Sequence, residues 1–134
     1  MSPLATGTFE VQMLPIEQTP PAPGGTQGRL SLDKQFQGDL EGVGKGQMLT
    51  AMSEVKGSAG YVAIERVTGR LHGRLGSFAL QHCGLMDRGA QQLVVTIVPD
   101  TGTGELTGIT GTLGIRIEER KHFYDLEYEF RDPA

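Results

Sequence analysis

The chain has 134 residues, 37% hydrophobic and 21% charged, a balance that suits one domain with a real core and excludes a disordered or membrane-spanning chain. Twelve Lys and Arg against 16 Asp and Glu leave a net charge of −4, the wrong sign for a nucleic-acid partner, and a lone cysteine, Cys83, cannot form an internal disulfide. No Lys or Arg precedes Arg29, so the charged opening of a secretory signal is missing, and the expected location is the cytoplasm with no membrane partner.

Period two recurs along the chain. In "TFEVQML" Phe9, Val11 and Met13 alternate with Glu10 and Gln12, the pattern of a half-buried strand. Residues 19–28, "TPPAPGGTQG", form a Pro/Gly-rich loop that cannot maintain a ladder. "RLSLDKQF" then sets Leu30, Leu32 and Phe36 on one face, with Arg29, Ser31, Asp33 and Gln35 on the other. "LEGVGKGQML" places Gly42, Gly44 and Gly46 on the same face of one strand, which permits the bending and close approach that a curled sheet needs.

Further along, Glu65 shares a face with Tyr61, Ala63 and Val67. If that face turns inward, burial raises the pKa of Glu65 and prepares it for acid–base work; if outward, Val62 and Ile64 fill the core instead. "VTGRL" and "DRGAQ" read as tight glycine turns. His82 lies on the face of Phe78 and Leu80, a face that serves as lumen in a closed sheet, and Cys83 on the opposite one. "QQLVVTIVP" is apolar on both faces and β-branched, as in a central strand.

The stretch "VPDTGTGELTGITGTLGIRIEE" invites comparison with phosphate-binding loops. It lacks the G-x-G-x-x-G spacing and the Gly-Lys-Ser/Thr step, and its continuation alternates like a strand, so there is no helix N-terminus to aim at a phosphate. Pro99 to Gly104 is a turn at a sheet rim, with Glu105 just beyond it. "EERKH" is a charged hairpin tip. "HFYDLEYEF" closes the pattern with Tyr124, Leu126, Tyr128 and Phe130 on one side.

About eight strands with short connections predict a single all-β domain over residues 1–134, an antiparallel closed or nearly closed β-barrel. "GRLGSFALQHCG", "TGTGELTGITG" and "HFYDLEY", together with "KQFQGDLEGVGKGQML", resemble a bacterial domain-of-unknown-function family, DUF3224, whose fold is similar to the allene oxide cyclase barrel. The resemblance runs from about Phe9 to Phe130. It implies the barrel and brings no assigned reaction.

Candidate ligand-binding residues are Tyr61, Glu65, Phe78, Leu80, His82, Glu105 and Tyr128, with Glu65 and His82 as the acid–base candidates. Met48, Met52 and Met86 read as gap-fillers. Three histidines without a carboxylate cluster at ligand spacing predict no metal, and no cofactor is expected. Three functions fit a barrel: a carrier or sensor for a small apolar ligand, an isomerase or cyclase acting by enclosure, and a module that associates through its outer face. A homo-oligomer is compatible with each.

Overall fold

Alternating sequence produces strands throughout. The computed structural model describes residues 3–132; positions 1, 2, 133 and 134 of the expected domain lie outside the described residues. Strands β1 (Leu4–Gln18), β2 (Thr26–Gly38), β3 (Leu40–Met52), β4 (Ala59–Leu71), β5 (Arg74–Asp87), β6 (Ala90–Ile97), β7 (Thr103–Gly104), β8 (Ile109–Glu118) and β9 (Lys121–Phe130) follow one another, with no helix among the described residues. Eight of them close into an antiparallel ring in the order β4-β3-β2-β1-β9-β8-β6-β5, which the β4–β5 pairing completes. The two-residue β7 adds to β5 through Gly76 and Ser77. The predicted barrel is therefore present, closed, with one extra short strand.

Two-residue turns set several registers. His72–Gly73 has φ of 47° and 82°, Arg88–Gly89 48° and 93°, and Glu119–Arg120 49° and 67°. Paired positive φ values match the right-handed twist of a hairpin. The turn expected at "VTGRL" thus falls just beyond that segment, at His72–Gly73. Gly69 stays within β4, opposite Gly42 and Gly76, where a Cβ would collide with the Glu41 carbonyl. The Pro/Gly-rich loop is also shorter than 19–28. Thr26 to Gly28 pair with Met52 to Thr50, and the Gln27 amide donates to Thr19 Oγ1 at 2.9 Å, which closes the hairpin behind the prolines.

Successive turns alternate between the two ends of the ring, and the ends are filled differently. At one, Phe36, Leu40, Leu71, Phe78, Ile97, Ile109 and Tyr124 are fully buried, and Leu106 from the β7–β8 connection plugs the opening. Tyr124 ties β9 to the β2–β3 turn: its hydroxyl accepts from the Leu40 amide at 2.8 Å and donates to the Gln37 carbonyl at 2.9 Å. At the other end Met13, Met52, Leu93 and Ile117 remain exposed. Outward, Leu49, Val62, Cys83 and Val94 stand in one row across β3 to β6, all exposed.

Candidate functional site

Strands β2, β4 and β5 each bring an ionisable side chain inward, and the three meet at one oxygen. On β2, Lys34 falls in register between Leu32 and Phe36; on β4, Glu65 falls between Ala63 and Val67; on β5, His82 follows Leu80. Strand β3 lies between Lys34 and Glu65 and offers Gly44 where a side chain would block them. A Cβ there would collide with Glu65 Oε2. With only a hydrogen at Gly44, Lys34 Nζ reaches Glu65 Oε1 at 2.7 Å across the intervening strand, and His82 Nε2 meets the same oxygen at 2.6 Å.

All three groups are removed from water: Lys34 is 7% exposed, Glu65 0% and His82 3%. Val62 and Ile64 lie outside, so the inward alternative for Glu65 is the one the chain adopts. The raised pKa expected from that orientation is not found. Burial does push the carboxyl up, but the hydrogen bond from His82 and then the charge of Lys34 outweigh it, holding Glu65 below its ordinary value of 4.5. The carboxylate has only acceptors, so His82 carries a proton on Nε2 and donates it. His82 Nδ1 makes no hydrogen bond with the described residues, and Glu65 Oε2, sealed against Gly44, has no partner among them. Lys34 Nζ also stands 5.0 Å from the centre of the Phe9 ring and 5.9 Å from that of Phe36, aromatic faces that favour a cation.

Above this trio opens a cavity of about 530 Å³, reached from the exposed end of the barrel. Its walls are largely apolar: Phe9, Val11, Leu32, Leu85, Leu93, Ile115 and Ile117, with Met13, Met48, Met52 and Met86. The methionines expected to fill gaps in a packed core instead line open space. Lys34 and His82 belong to the lining and Glu65 does not, so the carboxylate sits behind the two side chains that donate to it. Tyr61 and His122 are the other ionisable walls. Burial, followed by the negative charge of Glu65, pushes the Tyr61 phenol up. A larger depression, of about 1160 Å³, lies along Thr8 to Val11 and the β8–β9 turn; it contains neither Lys34 nor His82 and runs among exposed charged residues of that turn.

The predicted site residues divide by depth. Tyr61 and His82 line the cavity, and Glu65 underlies it. Phe78 and Leu80 share their face but are packed in the solid part of the core. Tyr128 lies toward the plugged end, bonded through its hydroxyl to His72 Nδ1. Glu105 is exposed beside β5 and accepts from the Leu75 amide at 3.1 Å. The residue that sequence reasoning missed is Lys34. Its signal was parity, since it alternates with Leu32 and Phe36 on the buried face. Among the described residues no group of three or more His, Cys, Asp or Glu is placed to hold a metal ion.

A closed eight-stranded barrel, plugged at one end and hollow at the other over a buried Lys–Glu–His trio, is the class of protein that fold and site define. The sequence profile of the family described as "Protein of unknown function (DUF3224)" matches residues 5–128, and the chain belongs to that family. It is similar over 100% of both chains, at 49% identity and a TM-score of 0.93, to a crystal structure of a protein of unknown function from the DUF3224 family of Shewanella oneidensis MR-1. No curated protein matches the chain.

Proposed function

We propose that the barrel binds a small, mainly apolar molecule in its lumen. The observation that carries this reading is the apolar cavity of about 530 Å³, within the range of about 300–1,000 Å³ usual for small-molecule sites, with Lys34 and His82 in its lining. Methionine walls suit such a role, because their unbranched side chains adapt to varied shapes. Titration with a lipophilic dye tests the proposal. Leu93→Trp places an indole at the half-open wall and should weaken dye binding at least tenfold without loss of fold; saturable binding of equal strength in both proteins would place the dye elsewhere and sink the reading.

The buried trio favours a second reading, an isomerase- or cyclase-type enzyme in which enclosure orients the substrate. A carboxylate, an imidazole and an ammonium gathered beneath an apolar cavity support it, as does the resemblance of the sequence to a family whose fold is similar to the allene oxide cyclase barrel.

A further inference from the structure

The charge pattern of the cavity floor specifies a chemistry. This inference rests on the reading that the lumen admits a small apolar molecule, and it goes on to name the head group and the reaction. We propose that the floor is an acid–base site for ketones, in which His82 Nδ1 removes a proton from the carbon beside the carbonyl while Lys34 donates a hydrogen bond to the carbonyl oxygen.

Lys34 and Glu65 cancel one another, so with a neutral imidazole the floor carries no net charge. A carboxylate head would bring an uncompensated negative charge beside Glu65 in a poorly solvated place, and an amine head would confront Lys34. The head that fits is uncharged and offers an acceptor oxygen. An ammonium has three N–H donors, and Lys34 commits one to Glu65. The imidazole complements it. Its Nε2–H is held by Glu65, which fixes the tautomer, leaves the Nδ1 lone pair open, and stabilises the cation formed when Nδ1 takes a proton.

In the step, the bond between hydrogen and the α-carbon breaks and the proton passes to Nδ1. The electron pair left behind forms the carbon–carbon double bond of an enolate, whose oxygen accepts from Lys34. Return of the proton to the same carbon exchanges hydrogen. Return to a carbon farther along an unsaturated chain moves a double bond, giving an isomer with nothing oxidised or reduced. Glu65 touches neither reacting atom and is a positioning residue.

The experiment uses 2-decanone in deuterated buffer, following loss of its α-proton signals by NMR, with displacement of a lipophilic dye as the measure of binding. The expected result is displacement by the ketone in preference to decanoate, and exchange at least about 100-fold faster than in His82→Gln, in line with general-base effects. Glutamine at 82 keeps a donor for Glu65 and removes the base. Lys34→Met should slow exchange and Lys34→Arg should recover part of it; Glu65→Gln should shift the pH profile of exchange. His72→Gln, toward the plugged end and outside the cavity lining, should change nothing. Displacement without exchange above the His82→Gln rate overturns the acid–base assignment and leaves the cavity reading standing. Exchange that survives His82→Gln and falls in His122→Gln overturns it as well. Preference for decanoate overturns the charge argument, and failure of the dye itself to bind removes the cavity reading too.

Discussion

Replacing Lys34 by Met keeps the length and apolar stem of the side chain and deletes only its charge, leaving a carboxylate that is 0% exposed with His82 as its sole partner among the described residues. Removing one member of a buried ion pair typically costs about 3–5 kcal/mol. With a urea dependence of about 2 kcal/mol per molar, the unfolding midpoint should fall by about 2 M at pH 8. Acid should narrow the gap. In the native chain Glu65 titrates below 4.5, so the stability it contributes is complete above that pH and is lost as pH falls through the lower, folded value. In Lys34→Met the main opposing charge is gone, burial regains influence over Glu65, and a proton taken up by the Glu65–His82 pair stabilises the folded variant. Urea melts of both proteins at pH 8 and pH 5 measure this directly. Lys34→Met with Glu65→Leu should recover most of the loss, since an apolar pair needs no counter-charge. A midpoint shift below about 0.5 M, or a gap that stays constant or widens on acidification, would refute the reasoning.

Gly44→Ala should lower stability by about 1–3 kcal/mol, because its methyl meets Glu65 Oε2 and lies 3.2 Å from Phe36; thermal unfolding reads the loss, and Glu65→Gln should not relieve it, since the amide occupies the same space. Tyr124→Phe deprives the buried Leu40 amide of its acceptor and should cost about 1–3 kcal/mol in denaturant titration. Gly73→Ala meets open space at a φ of 82°, so its penalty is conformational alone, about 1–2 kcal/mol, and it should leave dye binding intact.

Period two reported which face each strand buries, and it did so for the face of Tyr61, Ala63, Glu65 and Val67 once the strand's surroundings were in place. It could not report depth. Phe78, Leu80 and His82 share a face, yet only His82 reaches the cavity, because position along the barrel axis depends on the stagger between strands distant in sequence. Lys34 was passed over for a related reason: lysine reads as a solvent-facing residue by default, and its burial is explained only by Glu65 on β4 and the gap at Gly44 on β3. The same neighbours reverse the direction of the Glu65 pKa. A turn moved from "VTGRL" to His72–Gly73 because glycine serves two ends here, conformational freedom at Gly73 and close strand approach at Gly69.

The seam between β1 and β9, from Leu4 opposite Glu127 to Phe9 opposite His122, joins strands from opposite ends of the chain, whereas most other seams join consecutive hairpin partners. During synthesis, therefore, the sheet can zip hairpin by hairpin but must wait for β9 before it becomes a ring. Until that moment two unpaired edges stay open to other chains, and the hollow above Lys34 and His82 does not yet exist. Hydrogen exchange during refolding should accordingly show the β1 and β9 amides that face this seam acquiring protection together and last.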